Sequence, residues 1–189
     1  LVALPEYFCL LGRRDEDKLA IAAADGEGPL QAFLMQLARE AGVTLVGGTL
    51  PMRGAVPGKV HNACLVFDPE GHRLARYDKL HLFGFDNGRE RYDEGRLQQA
   101  GAAPVAFDWQ GQRVGLSVCY DLRFPELYRR LVDRGARWLF VPSAFTRETG
   151  KDHWEVLLRA RAIENQCFVL APAQCGQHAP DRSSHGRSL

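Results

Sequence analysis

The sequence predicts an α/β fold. Short apolar segments alternate with amphipathic helical segments along the 189 residues, which is the pattern of sheets covered by helices. The strand segments are rich in β-branched and aromatic residues and apolar on both faces, so we expect both sheet faces to be covered. Apolar residues make up 46% and charged residues 25% of the chain, which is ordinary globular composition and excludes intrinsic disorder.

Three helices are predicted from apolar residues spaced three and four positions apart. The first covers 30–41, where Pro29 suits the start of a helix and Gly42 suits its end. The second covers about 124–134 and the third about 152–166. Each helix has one apolar face, so each is expected to pack against a sheet.

The predicted strands lie between these helices. They are the apolar opening of the chain, 43–50, 62–67, a short return strand that ends at Tyr77, 113–118, 138–141 and 167–171. The turn at 68–71 predicts a hairpin between the third and the fourth of them. No element is predicted for the charged, glycine-rich segment 81–101, and long loops of this kind are usually functional or disordered.

Charge and hydropathy exclude two classes of partner. The 24 Lys and Arg residues and the 23 Asp and Glu residues leave a net charge of +1, which removes the electrostatic basis for binding nucleic acid or an anionic membrane. No apolar run approaches the ~20 residues that a membrane-spanning helix needs. We therefore expect neither a nucleic-acid partner nor a membrane partner.

The five cysteines are widely spaced, and no CxxC pair occurs. This pattern supports neither a disulfide framework nor a zinc ribbon, and it favours the reducing cytoplasm as the compartment. The length predicts a single domain over residues 1–189. Because the chain opens at Leu1 inside an apolar run and closes after a polar loop, we expect it to be an internal fragment of a longer chain.

Cys119 follows the predicted strand 113–118 and precedes a predicted helix. Ligands bind at the carboxyl ends of strands in α/β sheets, so a thiol there can attack a substrate while the next backbone N–H holds an oxyanion. A buried structural cysteine is the alternative. His153 lies in HWE rather than in HExxH, so a zinc protease has no support, whereas a Cys–His hydrolase or acyltransferase stays open.

A carboxylate and an ammonium group complete a set with this thiol. Glu6 directly follows the apolar opening, in the sequence LPE, and Lys79 lies among apolar and aromatic neighbours. With Cys119 they supply a base for the thiol proton, a cation for the oxyanion and a nucleophile. Each of the two charged residues can equally be an ordinary surface residue.

Three motifs of the sequence resemble those of the nitrilase superfamily of carbon–nitrogen hydrolases. They are PEY at 5–7, YDKLHLF at 77–83 and SVCYDLRFPE at 117–126, and they occur in the order of that family. The resemblance runs over essentially the whole chain. It implies a four-layer αββα sandwich, from which N-terminal and C-terminal segments are expected to be missing here.

The resemblance also implies the chemistry of the site. Glu6 is expected to be the general base, Cys119 the nucleophile that forms a thioester, and Lys79 the stabiliser of the tetrahedral intermediate. Family members carry a further glutamate, for which Glu94 is the best match and Glu90 the second choice. Neither an organic cofactor nor a metal is implied.

Five further residues are expected to bind substrate: Tyr120, Arg123, Pro142, Phe145 and His153. The backbone N–H of Tyr120 is the expected second oxyanion donor, and Pro142, Phe145 and His153 are expected to shape the pocket wall. Arg123 can reach a substrate carboxylate or pair with Glu126, and we favour the structural pair.

The segment 142–176 most resembles the branch of the superfamily that hydrolyses deaminated glutathione. Omega-amidases resemble this stretch less, and the arginine that D-amino-acid carbamoylases carry three residues after the nucleophile is Leu122 here. These two activities remain alternatives, together with a catalytically silent binding module of the same fold. The resemblance implies a small-molecule amide substrate and a homo-oligomer.

Overall fold

The computed structural model describes residues 1–86, 88, 91–180 and 182–189, with the backbone alone at position 91. Its helices are α1 (Asp17–Ile21), α2 (Pro29–Ala41), α3 (Pro125–Asp133) and α4 (Arg147–Asn165), with 3₁₀ turns at Glu94–Arg96 and Cys119–Arg123. Its strands are β1 (Val2–Ala3), β2 (Leu45–Val46), β3 (Leu50–Arg53), β4 (Val60–Phe67), β5 (Arg73–Asp78), β6 (Gly84–Asp86), β7 (Arg91–Asp93), β8 (Val105–Trp109), β9 (Gln112–Leu116), β10 (Trp138–Phe140), β11 (Phe168–Leu170), β12 (Cys175–Ala179) and β13 (Arg182–His185).

Two sheets form the centre of the fold. In the first, the order is β1-β2-β4-β3, and β5 also pairs with β4. In the second, the order is β11-β10-β9-β8; β9, β10 and β11 are parallel, and β8 is antiparallel to β9. The hairpins β6–β7 and β12–β13 lie outside both sheets. The two sheets thus supply the strand ends from which the site residues emerge.

Three apolar clusters show how the layers stack. Leu34 of α2 packs on the outer face of the first sheet. Val66 of β4 and Leu116 of β9 belong to the cluster between the two sheets. Leu131 of α3 and Trp154 of α4 cover the outer face of the second sheet. The order helix, sheet, sheet, helices is the four-layer αββα sandwich that the resemblance implies.

The predicted helices form, with one different boundary. The helix predicted over 30–41 is α2, which has Pro29 in its first turn and ends at Gly42 in the left-handed conformation, φ 60°. The third helix begins at Arg147, earlier than predicted, because Thr146 caps it: the Oγ1 atom of Thr146 accepts a hydrogen bond from the N–H of Thr149. Its first turn is polar, so apolar spacing does not reveal it.

The predicted strand 43–50 is two separate strands, β2 and the start of β3. Gly47 and Gly48 interrupt it, and Gly48 has φ 58°. A Cβ atom at Gly48 would lie 2.1 Å from the carbonyl oxygen of Pro5, so only glycine allows this approach. The break therefore lets the chain pass directly beside the residue that precedes Glu6.

Several elements had no prediction. The segment 81–101 holds the β6–β7 hairpin and a 3₁₀ turn, and α1, β8 and the β12–β13 hairpin were also not predicted. Most of these segments are short or polar, so neither helical nor strand periodicity is visible in them. None of the helices in the described part of the chain is both long and apolar enough to cross a bilayer.

Candidate active site

Three chemically active side chains follow strand ends. Glu6 comes after β1 and Lys79 directly after β5, both in the first sheet, whereas Cys119 comes after β9 in the second. Packing of the two sheets brings these ends together at one cleft. Glu6, Cys119 and Glu94 line this cleft, and Lys79 is hydrogen-bonded to both glutamates. The structure thus brings the four predicted catalytic residues to one place.

The carboxylate of Glu6 is fixed at both oxygens. Its Oε1 atom accepts hydrogen bonds from Nδ2 of Asn62 at 2.8 Å and from Nζ of Lys79 at 3.2 Å. Its Oε2 atom accepts one from the backbone N–H of Ala144 at 2.8 Å. Glu6 is only 2% exposed, so these bonds supply the polar contacts that water would otherwise provide. The side chain is held in one orientation.

The ammonium group of Lys79 lies between two carboxylates. Its Nζ atom is 3.2 Å from Oε1 of Glu6 and 2.8 Å from Oε2 of Glu94, and the side chain has no exposed surface. Burial by itself would lower the pKa of Lys79, but the two glutamates outweigh it and hold the pKa well above the ordinary value. The Phe83 N–H also donates to Oε2 of Glu94 at 2.7 Å. The two carboxylates therefore favour the charged form of Lys79.

Glu94 is the glutamate that meets the lysine, and it starts the 3₁₀ turn Glu94–Arg96. The alternative, Glu90, lies outside the described residues. The hairpin β6–β7 leads from the lysine segment to this turn, which explains how a residue in a charged, glycine-rich segment reaches a buried ammonium group.

Cys119 begins the 3₁₀ turn with φ 49°, a left-handed conformation that non-glycine residues seldom adopt. Its N–H donates to the carbonyl oxygen of Pro142 at 3.0 Å, which holds the turn against the chain after β10. Burial raises the pKa of the Cys119 thiol well above its ordinary value, and Glu6 raises it further, while Lys79 and the Ala144 N–H lower it by less. This shift favours the protonated thiol over the thiolate, so Cys119 would need a base to lose its proton.

Asp121 joins the lysine segment to the cysteine turn. Its buried carboxylate accepts hydrogen bonds from the hydroxyl of Tyr77 at 2.7 Å and from the N–H of Val118 at 2.8 Å. It also contacts both the backbone N–H of His81, at 2.9 Å, and Nδ1 of the same residue, at 2.7 Å. Because His81 is two residues from Lys79 and Asp121 is two residues from Cys119, this contact fixes the two active segments against each other.

Three of the predicted substrate-binding residues line the cleft: Tyr120, Arg123 and Phe145. The guanidinium of Arg123 lies 5.8 Å from the ring centre of Tyr120 and 5.5 Å from that of Phe145, a cation–π arrangement. The prediction of an ion pair between Arg123 and Glu126 is wrong. Glu126 is exposed, and Nη2 of Arg123 lies 3.2 Å from Nδ1 of His153 instead.

Two predictions about the pocket wall are wrong. Pro142 is buried, its carbonyl oxygen accepts the N–H of Cys119, and it does not line the cleft. His153 is exposed on α4, beside the buried Trp154, and it contacts Arg123, which does line the cleft. Helical geometry explains the position of His153, since adjacent residues of a helix face different directions and its neighbour Trp154 is the one that faces the core.

Sequence reasoning missed five polar contributors to the site. Asn62 is the one amide side chain in the otherwise apolar strand segment 62–67. A polar side chain in a buried strand could have indicated a functional hydrogen bond. Tyr7, Lys18 and Arg182 line the cleft, but they come from turns, a short helix and a late hairpin that apolar patterning does not reveal. The N–H of Ala144 is a backbone donor and has no sequence signal at all.

Comparison with known proteins assigns the family. The model of the carbon–nitrogen hydrolase family matches residues 1–189. The chain belongs to the carbon–nitrogen hydrolase family. This carbon–nitrogen hydrolase is 46% identical over 193 residues to the deaminated glutathione amidase of Synechocystis sp., an alignment that covers all of this chain and 70% of that protein.

Solved structures of the family share its fold. The nitrilase and fragile histidine triad fusion protein NitFhit of Caenorhabditis elegans superposes with a TM-score of 0.85 at 40% identity, and this carbon–nitrogen hydrolase spans 46% of that chain. An amidase from Nesterenkonia sp. superposes with a TM-score of 0.82 at 29% identity over 69% of its length; in that structure acrylamide has added to the active-site cysteine. The αββα sandwich of the nitrilase type is confirmed.

Proposed function

We propose that this carbon–nitrogen hydrolase is an amidase that cleaves deaminated glutathione, the 2-oxo acid analogue of glutathione, into 2-oxoglutarate and cysteinylglycine. One observation carries the proposal: an ammonium group, Lys79, lies buried between Glu6 and Glu94 beside the neutral thiol of Cys119. Amide hydrolysis needs this combination of nucleophile, base and cation. The name of the Synechocystis relative supports the choice of substrate.

In the first half of the proposed reaction, Glu6 takes the thiol proton while the sulfur of Cys119 bonds to the amide carbon. The carbonyl oxygen becomes an oxyanion. Lys79 has three N–H donors, of which Glu6 and Glu94 use two, so one is left for this oxyanion together with the N–H of Tyr120. The intermediate then collapses: the C–N bond breaks, and Glu6 passes its proton to the leaving nitrogen.

In the second half, water attacks the thioester. Glu6 takes a proton from the water as its oxygen bonds to the carbonyl carbon, and the same cation stabilises the second oxyanion. The C–S bond then breaks, the acid leaves, and the sulfur recovers the proton from Glu6. Asn62 and the N–H of Ala144 support this double use because they hold the carboxylate in one orientation throughout.

Arg123 is proposed to bind the carboxylate of the 2-oxo acid half. Its guanidinium lies in the cleft on the same turn as Cys119, between the rings of Tyr120 and Phe145. An arginine can bind a carboxylate through two parallel hydrogen bonds. The guanidinium of Arg123 contacts the exposed His153, but it forms no ion pair with a carboxylate among the described residues. It can therefore still bind a substrate carboxylate.

We also propose a cytoplasmic location and a homo-oligomer. The cysteines of the chain are free thiols, as a reducing compartment requires. Val156 and Ile163 on α4 are 66% and 77% exposed, and large exposed apolar side chains on one helix favour a protein contact there. Sedimentation velocity tests the oligomer, and a monomer at micromolar concentration would contradict it.

The function is tested with a substrate panel on the purified protein and its Cys119→Ala variant. We expect dipeptide release from deaminated glutathione to exceed ammonia release from 2-oxoglutaramate, and both to vanish in the variant. A preference for 2-oxoglutaramate would favour an omega-amidase. Absence of any amide hydrolysis by the unmodified protein would favour the silent binding module.

A further inference from the structure

A second charged group lines the same cleft as Arg123. We call it the Lys18 wall and define it by Tyr7, Asp15, Lys18 and Arg182. The side chain of Lys18 is only 8% exposed, and its ammonium group lies 4.7 Å from the ring centre of Tyr7. None of these residues has a role in the bond-making steps described above. Their burial in the cleft calls for a ligand or a structural explanation.

The Lys18 wall carries one unbalanced positive charge. Nζ of Lys18, at 3.1 Å, and Nη2 of Arg182, at 2.8 Å, donate to the same Oδ1 atom of Asp15. Arg182 also donates through Nη1 to two backbone carbonyl oxygens, so the protein uses it to hold the chain. Within the described ranges Lys18 makes one hydrogen bond and has three N–H donors, so its ammonium group has donors left for an anion.

Tyr7 provides a second, independent sign of a ligand. The residue is 3% exposed, and its hydroxyl has no hydrogen-bond partner among the residues that the structure describes, although it belongs to the cleft. Its backbone is fixed by an N–H···Oγ1 hydrogen bond to Thr49 at 2.9 Å. Burial raises the pKa of Tyr7 and Glu94 raises it further, so the hydroxyl keeps its proton and can donate it. Buried hydroxyl groups in native proteins nearly always have a partner.

The chain connectivity indicates which half of a substrate lies here. Tyr7 directly follows Glu6, the group that gives its proton to the leaving nitrogen, whereas Arg123 belongs to the turn of Cys119, which keeps the acyl group. This order along the chain favours the leaving-amine half of a substrate as the part that the Lys18 wall contacts. An anion bound there belongs to the amine half of the amide.

We propose that Lys18 and Tyr7 form a subsite for the leaving group, in which the ammonium of Lys18 binds a terminal carboxylate and the hydroxyl of Tyr7 hydrogen-bonds the amide backbone between that carboxylate and the scissile bond. The ligand class is a short, peptide-like amine that ends in a carboxylate. This assignment rests on the proposed function. The subsite would make the protein selective for dipeptide leaving groups over ammonia.

Two substrates with the same acyl half test the subsite. Deaminated glutathione carries a dipeptide leaving group, and 2-oxoglutaramate carries ammonia. For Lys18→Met we expect kcat/KM to fall about 10- to 100-fold on the first substrate, the effect of a lost hydrogen bond to a charged group, and to stay within about twofold on the second. Lys18→Arg should restore most of the loss. Arg14→Met, whose side chain is 78% exposed nearby, is the matched control and should change neither value.

A substrate change serves where the variant fails to fold. Amidation of the terminal carboxylate of deaminated glutathione should lower kcat/KM of the unmodified protein by the same factor, and Lys18→Met should cause no further loss on this analogue. Equal losses on both substrates, or no loss on the dipeptide substrate, would overturn the subsite and leave the amidase proposal intact. If the unmodified protein hydrolyses neither substrate, the proposed function fails and the subsite fails with it.

Discussion

The substitution Glu6→Gln should lower the pKa of the Cys119 thiol. Glu6 and Cys119 share one backbone donor: Oε2 of Glu6 accepts the Ala144 N–H at 2.8 Å, and the same N–H lowers the pKa of the thiol. Two acceptors of one N–H lie at most about 6 Å apart, since each is about 3 Å from the nitrogen. At an effective dielectric constant of about 20, two negative charges at that distance repel by about 3 kcal/mol, which equals a factor of about 100 in an equilibrium constant.

The sign follows from the charge that is removed. The carboxylate disfavours a thiolate, so a neutral glutamine should lower the pKa of Cys119 and raise the thiolate fraction about a hundredfold at any pH well below that pKa. At the same time amide hydrolysis should fall by at least about a hundredfold, because the base is lost. The variant should thus hold a more ionised nucleophile and be a worse enzyme.

The measurement is the ultraviolet absorbance of the thiolate across the alkaline range. A Cys119→Ser variant, made both with and without the Glu6 substitution, is subtracted so that the other four cysteines cancel. This equilibrium titration does not depend on how a reagent enters the cleft. An unchanged or higher pKa in the Glu6→Gln protein would refute the reasoning, because it would show that burial alone governs the thiol.

Three more outcomes are expected. Lys79→Met should lower kcat by about 10²–10³-fold or more in steady-state assays, the usual effect of a lost oxyanion donor, and near-normal activity would favour a Cys–His mechanism instead. Asp121→Asn should lower the free energy of unfolding by about 3 kcal/mol in urea titrations, because a buried carboxylate with four hydrogen-bond contacts loses its charge; a change below about 1 kcal/mol would contradict this. Mass spectrometry after mild alkylation should find the exposed Cys175 modified and Cys64 unmodified, since burial raises the pKa of Cys64 to about 12; early labelling of Cys64 would show that its layer opens.

Local patterns predicted the α/β class and the positions of the active residues along the chain. The apolar spacing over 30–41 corresponds to α2, and Glu6 and Cys119 follow strand ends as expected. These features depend on residues close in sequence, whose periodicity a single chain displays. The catalytic roles of these residues stay a prediction that the variants above test.

The partners of these residues could not be predicted, because they are distant in sequence. Asn62 reaches Glu6 across 56 positions and the Ala144 N–H reaches it across 138. A backbone N–H donor has no side chain by which a sequence could reveal it. The partner of Arg123 could not be predicted either, because it depended on whether the side chain of Glu126 points toward the guanidinium. The hairpins β6–β7 and β12–β13 are short and mostly polar. Their sequences therefore carry little of the apolar periodicity from which strands are predicted.

The bonds to Glu6 make catalysis depend on the alignment of the two sheets. Asn62 and Lys79, which hold Oε1, come from one sheet, while the Ala144 N–H, which holds Oε2, follows a strand of the other. In the proposed mechanism, a slide of about 1 Å between the two sheets would lengthen one set of bonds and turn the carboxylate of Glu6 away from the sulfur of Cys119, at a rate cost of about 10²-fold. The catalytic rate therefore reports how well the two sheets are aligned. On heating, activity should be lost when the two sheets separate, even while the outer helices remain folded.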